Sequence, residues 1–402
     1  MVLSPKKIDL LCLFFIYSLD SFGIAIIYPI FTPIFLLEES QFFNLAASIP
    51  YKIFLLGILL ALFPIAQFIG VPFIGDFSDK IGRKKTFGFT LLGSAISYLL
   101  TAIALSIYSL PLLFFSRFSS GFFAGNTSLC FASLSDISAT DQERSKNFGF
   151  LAAFGGMSFM LAILIGGSFS ASSAFYTITL LSTITLIVTL LFFQDTKKIV
   201  PHAKFHLTKG FEHIISSLRI KPLRNAYALF FFFSIGWIAA MQFSPSVLLI
   251  IYKKSPIHFT INLLIAGALW SLANFFAQRF LMKFFTSMQV LSLTIPLLFF
   301  FLLSCLIPQS YLSFSIHFSF SVFLAALVWS NALAHVSLSG CKEIQGRIMG
   351  INQSFASIAN ILAALSGSFF TGIYPSSVFF LSAICVGFAF LALRKAQKNL
   401  RY

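Results

Sequence analysis

The chain has 402 residues, of which 58% are hydrophobic and only 10% charged, with a formal net charge of +15. That balance excludes a soluble globular protein, whose surface needs many more polar side chains. The apolar runs extend for about twenty residues without the period-two alternation of outer-membrane strands, which excludes a β-barrel and indicates helices spanning a ~30 Å hydrocarbon core.

The N-terminus, MVLSPKKIDLLCLFFIYSLDSFGIAIIYPIF, has the basic start of a signal peptide. Its apolar part is too long and no small-residue cleavage site follows, so it is read as a retained first helix. Spans are expected at 9–32, 52–74, 87–108, 110–134, 148–169 and 172–193, then at 226–251, 260–280, 288–307, 311–335, 347–372 and 375–394. The expectation is an all-α membrane protein with twelve transmembrane helices. The polar stretch 194–225 divides it into an N-terminal six-helix bundle (1–194), a cytoplasmic central loop (195–225) and a C-terminal six-helix bundle (226–402). Within the loop, GFEHIISSLRI fits a short surface helix or a plain linker equally well.

Offsetting the chain against itself by half its length aligns Gly149 with Gly350, Phe154 with Phe355, Gly166 with Gly367 and Phe169 with Phe370. These pairs lie in spans five and eleven, which predicts two six-helix pseudo-repeats. With the N-terminus inside, 23 of the 27 Lys and Arg residues fall on the cytoplasmic side. Lys52, Lys253 and Lys254 fall outside, and Arg117 lies within a span. The bias places both termini in the cytoplasm. It also accounts for the positive charge through the anionic inner leaflet, with no need of nucleic acid. Cys12, Cys130, Cys305, Cys341 and Cys385 are scattered without metal-ligand spacing, so no metal is expected, and no cofactor.

Residues 75–85, GDFSDKIGRKK, place two carboxylates and four cations between spans two and three. Gly75 and Gly82 permit tight turns there, and Asp79 can face a helix N-terminus. Deeper in the bilayer, Asp20 lies ~20 Å from the end marked by Lys7, and Arg117 ~10 Å from the end near Leu110. Each must find water or a partner. They are read either as a structural pair joining helices one and four, or as a proton site in which Arg117 tunes Asp20. Asn126, Gln242, Asn274, Asn331, His335, Asn352 and Gln353 are polar positions on other spans, available to line a substrate cavity. Asn331 and His335 share a helix face, and His335 is either a second titrating group or interhelical glue. Trp237, Trp270 and Trp329 either contact an aromatic substrate or simply pack.

The spacing Gly75, Asp79, Gly82, Arg83, Lys84 resembles the signature loop of the major facilitator superfamily, in the place that family has it. RFSSGFFAG (Arg117, Gly121, Gly125), SDISATDQERSKNFG (Asp136, Glu143, Arg144, Gly149) and FFQDT resemble further family motifs in the same order. LDSFGIAIIYPIFTP, with Leu19, Asp20, Gly23 and Pro29, is similar to the first helix of the tetracycline-efflux type of drug–proton antiporter; its second proline is displaced by one, to Pro33. The helix-five antiporter motif keeps Gly166 and Gly167 but has Ala162 and Ile163 where Gly and Pro belong. The second copy of the loop signature is nearly erased in NFFAQRFLMKFF.

The resemblance implies a cytoplasmic latch in which Asp79 and its basic neighbours, with Asp136 and Arg144, hold the halves together until the cavity opens inward. It implies a monomeric secondary transporter of the inner or plasma membrane, moving a small organic solute, with proton-coupled export as the first reading. Uptake of a nutrient or metabolite, and a non-transporting receptor or scaffold, are the alternatives. An enzyme is not expected, since no nucleophile elbow, metal cluster or phosphate-binding glycine loop is found. The expected partners are the solute, protons and the lipid bilayer.

Overall fold

The computed structural model describes residues 5–37, 41–44, 46–138, 141–195, 221–307, 310–339 and 345–399. GFEHIISSLRI, Cys341 and most of the central loop lie outside them. Every regular element is helical among the described residues: α1 (Pro5–Ala25), α2 (Ile27–Leu36), α3 (Ile49–Ile81), α4 (Arg83–Ser106), α5 (Leu110–Phe123), α6 (Asn126–Ile137), α7 (Asp141–Ser168) and α8 (Ala171–Phe192). Then come α9 (Lys221–Ile250), α10 (Pro256–Leu272), a π-helical turn (Ala273–Ala277), α11 (Gln278–Leu281), α12 (Ser287–Ser304), α13 (Tyr311–Leu338), α14 (Gln345–Ile373) and α15 (Ser377–Asn399).

Among the described residues, eleven helical segments are long and apolar enough to cross a membrane. The twelfth span is α5 with α6, which are 14 and 12 residues long and too short alone. Closed helical hydrogen bonding is what lets such apolar segments cross lipid. Large apolar side chains stay exposed, among them Leu191, Phe276, Phe284 and Phe369, as a lipid-facing surface allows.

Two expectations about local structure change. Residues 75–81 are not a loop: they are the last turns of α3, and a Cβ at Gly75 would meet nothing within 4 Å, so no turn requires that glycine. The whole reversal falls on Gly82, at φ 92° and ψ 160°, a conformation only glycine adopts freely. Span four, expected as one helix over 110–134, is broken at Ala124 and Gly125.

The chain forms two compact units, Met1–Ile30 with Leu62–Leu207, and Phe31–Ala61 with Thr208–Tyr402. In the first unit α1 packs on α7 and α8, and α4 on α5 and α8. In the second, α9 packs on α14 and α15, and α12 on α13 and α15. Numbered by span, the pairs 1–5, 1–6, 3–4 and 3–6 recur as 7–11, 7–12, 9–10 and 9–12, so the repeat is one of packing as well as of sequence. The aligned glycines behave alike. A Cβ at Gly166 would lie 2.8 Å from Pro29, just beyond α1, and one at Gly367 would lie 2.7 Å from Phe243 of α9. At Gly149 and at Gly350 a Cβ would meet nothing. The second unit also holds α3's first turns: a Cβ at Gly57 would lie 2.2 Å from Ser368 Oγ of α14.

Candidate functional site

The break in span four exposes backbone donors in the middle of a membrane helix, where they need an acceptor. Asp20 of α1 supplies it. Its Oδ1 accepts from Asn126 Nδ2 at 3.0 Å, and its Oδ2 accepts from the Thr127 backbone N–H at 3.0 Å and from Thr127 Oγ1 at 3.2 Å. The carboxylate thus sits at the N-terminus of α6, the end of a helix that favours negative charge. Asp20 is 9% exposed and Asn126 fully buried. Thr90 of α4 donates to Asn126 Oδ1, which orients that amide toward Asp20. One residue turn beyond, Gly23 admits Tyr98 from α4: a Cβ there would lie 2.0 Å from the phenol oxygen.

Arg117 of α5 is 1% exposed, with its guanidinium 4.8 Å from the centre of the Phe63 ring. Glycines make this approach possible: a Cβ at Gly121 would lie 2.2 Å from the Phe63 carbonyl oxygen, and one at Gly70 2.1 Å from that of Phe122. Tyr98 lies within electrostatic reach of both Asp20 and Arg117.

At the other end of the unit, Arg83 is buried. Its Nη1 donates to Ser78 Oγ at 2.7 Å and lies 3.8 Å from Asp79 Oδ1, and its Nε donates to Asp136 Oδ2 at 3.4 Å. One arginine therefore ties the end of α3 to the end of α6. Arg144 falls on α7, with its side chain outside the described ones. Two carboxylates not singled out in the sequence join this end. Asp195 accepts from the Lys84 backbone N–H at 2.9 Å, capping α4, and Asp9 accepts from the Gln194 backbone N–H at 2.8 Å. Together they fix the end of span six to spans one and three. Asp195 lay within FFQDT, and a carboxylate at a span end beside a basic helix start was the signal available. Lys6 pairs with Glu143 at 2.7 Å.

The polar positions of the second unit divide. Gln278 and Asn331 exchange hydrogen bonds, at 3.1 Å and 2.8 Å, and Ser330 donates to Asn274. Asn274 and Asn331 are thereby brought together with Gln278, which the sequence reading had not chosen. Gln242 of α9 is 6% exposed, and its Oε1 has no hydrogen-bond partner among the described residues. The same holds for His335 Nε2 and Asn352 Oδ1, while Gln353 is exposed. In α7, Gly166 and the Ala162 and Ile163 that replace the expected Gly and Pro are buried, and Gly167 is half-buried. No cluster that could hold a metal ion occurs among the described residues.

An all-α, multi-pass membrane protein built as two six-span repeats, with a carboxylate buried at a broken span, has the architecture of a secondary carrier. The sequence profile of the Major Facilitator Superfamily matches residues 13–364. The chain belongs to that family. It is 32% identical over 193 residues to the class H tetracycline resistance protein of Pasteurella multocida, a match covering 47% of this chain and 45% of the relative. The chain's match thus spans under half of that relative's length. It is 26% identical over 326 residues to the quinolone resistance protein NorA of Staphylococcus aureus, covering 77% of this chain and 79% of that one. Two solved structures share the fold at low identity. The human organic anion transporter MFSD10 aligns with a TM-score of 0.75 at 16% identity, over 98% of this chain and 100% of that one. A D-xylose-proton symporter aligns with a TM-score of 0.76 at 14% identity, over 97% of each chain.

Proposed function

We propose that this protein is a monomeric secondary transporter of the inner membrane, with both termini cytoplasmic, that exports a small organic solute in exchange for protons by alternating access. The observation that carries the proposal is the Asp20 carboxylate at the break of span four. As an anion it accepts three hydrogen bonds and faces the positive end of α6. Protonation removes the charge and turns one oxygen into a donor, so it exchanges charge-assisted bonds for neutral ones and loses the dipole contact. The difference is about 2 kcal/mol, roughly 30-fold in the balance between a tied and a released α1–α6 contact. Proton binding at Asp20 thereby becomes a change in how spans one and four are held, which is what coupling requires. Arg117 keeps a fixed positive charge in the same unit. The Arg83 cluster ties together the ends of spans two, three and four within the first unit, and its role in a latch that gates the cycle is proposed from the family resemblance. The resemblance to tetracycline and quinolone resistance proteins supports the export direction.

The test is proton release from purified protein in weakly buffered detergent, challenged with drugs, amino acids and metabolites. The wild type should release protons on binding its solute, and Asp20→Asn should bind without release. Release of wild-type size from Asp20→Asn refutes the assignment.

A further inference from the structure

The chain contains 3 tryptophans, and the fold gathers all of them in the second unit. Trp237 of α9 stacks on Trp270 of α10, with ring centroids 5.9 Å apart and planes 21° apart, and Trp270 meets Trp329 of α13 edge-on at 6.1 Å. Trp329 rests in turn on Phe230 and Phe233. Trp237 is buried, whereas Trp270 and Trp329 are half-buried, so part of their ring surface remains open.

Amides continue this aromatic surface. Asn274 follows Trp270 by four residues and Gln278 follows by eight, on the element interrupted by the π-helical turn, where the Gln278 backbone N–H bonds back to the Ala273 carbonyl. π-turns recur at functional sites because they re-aim side chains. Here the turn is followed by Gln278, which meets Asn331, and contains Asn274, which meets Ser330. Asn274 Nδ2 donates to the Trp270 carbonyl, and Asn331 Nδ2 donates to Gln278 and to the Leu327 carbonyl. One amide hydrogen of Asn274 and one of Gln278 are left without an acceptor among the described residues. Such groups are disfavoured against lipid tails. The charge pattern is one-sided: α9 to α15 contain no Asp or Glu at all.

We infer that Trp237, Trp270 and Trp329, with Asn274, Gln278 and Asn331, form a binding platform for flat ring compounds that carry hydroxyl or carbonyl acceptors and no net positive charge. Stacking on the open tryptophan faces supplies affinity, and the two free amide hydrogens receive the acceptors. A cation finds no carboxylate on these helices. The inference rests on reading the chain as a small-molecule carrier and assigns the solute's chemistry to the second unit, apart from Asp20.

Because the cluster holds every tryptophan, fluorescence excited selectively at tryptophan reports this place alone. Purified protein is titrated at equilibrium, without a pH gradient, with an uncharged polyhydroxyflavone, with ethidium as a flat permanent cation and with xylose as a non-aromatic polyol, correcting for absorbance. The flavone should quench saturably, xylose should not, and ethidium should bind at least tenfold more weakly. Trp270→Phe should keep flavone binding within about threefold, while Trp270→Ala weakens it about tenfold. Gln278→Ala, and separately Asn274→Ala should one of the two fail to fold, should weaken it roughly 3–10-fold. No saturable quenching by the flavone overturns the platform, and ethidium binding as tightly as the flavone overturns the charge rule. A chain that releases protons with its solute yet shows no flavone quenching refutes this inference alone. Quenching without proton coupling refutes only the export reading.

Discussion

Gly82 is the position where one added carbon tests the geometry most directly. Its φ of 92° is strained for any L-residue, at a cost of ~1–2 kcal/mol. A Cβ there would also lie 2.8 Å from both carboxylate oxygens of Asp195. That side chain is long enough to swing away, but doing so gives up its hydrogen bond to the Lys84 N–H, a helix cap worth ~1 kcal/mol. Gly82→Ala should therefore destabilise by ~2–3 kcal/mol. With Asp195 already truncated to Ala, the same change should cost only the backbone part, ~1–2 kcal/mol. The assay is a double-mutant cycle of equilibrium unfolding in mixed detergent micelles, with a coupling energy of about 1 kcal/mol expected. Additivity within ~0.3 kcal/mol would refute the Asp195 contact, and a single-mutant cost below ~0.5 kcal/mol would refute the left-handed turn.

Asn126→Ala removes a bond to a charged group and should cost about 1.5–3 kcal/mol while reducing solute-induced proton release; retention of both stability and release would contradict the role given to the broken span. Gly23→Ala forces a carbon against the Tyr98 phenol and should lower the melting temperature, and Tyr98→Phe in the same chain should recover part of the loss. A double variant no more stable than Gly23→Ala argues against that contact. Phe63→Leu should cost ~1–2 kcal/mol through the lost guanidinium–ring contact, read by thermal melting, and should leave solute binding in detergent unchanged.

The architecture could be read from hydropathy because it acts over whole spans: a run of twenty apolar residues has few alternatives. Asp20 was legible for the same reason, since a carboxylate that deep must be accounted for. Its partners were not. Nothing in RFSSGFFAGNTSL announces that the helix stops at Ala124, because Gly and Asn are tolerated inside membrane helices when neighbours satisfy the backbone, and here the neighbour is Asp20 itself. Gly75 and Gly82 looked alike in sequence, and only the backbone distinguishes the helical one from the turning one. Asp9 and Asp195 were passed over because they lie at span ends, where a charge needs no explanation. Gln278 was missed because the π-turn places it beside Asn331 in a way that simple helical periodicity does not anticipate.

The break in span four has no counterpart in the second unit, where α13 runs unbroken from Tyr311 to Leu338, and among the described residues Asp20 alone carries a carboxylate in the middle of a span. On the proposal that Asp20 carries the coupled proton, each turn of the cycle takes up one proton. In exchange for an uncharged solute, each turn moves one net charge, worth ~2.3 kcal/mol per 100 mV. That sustains at most a roughly 50-fold concentration ratio for each 100 mV of proton-motive force. On that proposal the single proton carried by Asp20 sets a thermodynamic ceiling on how steep a gradient of solute the protein can hold, however fast it turns over.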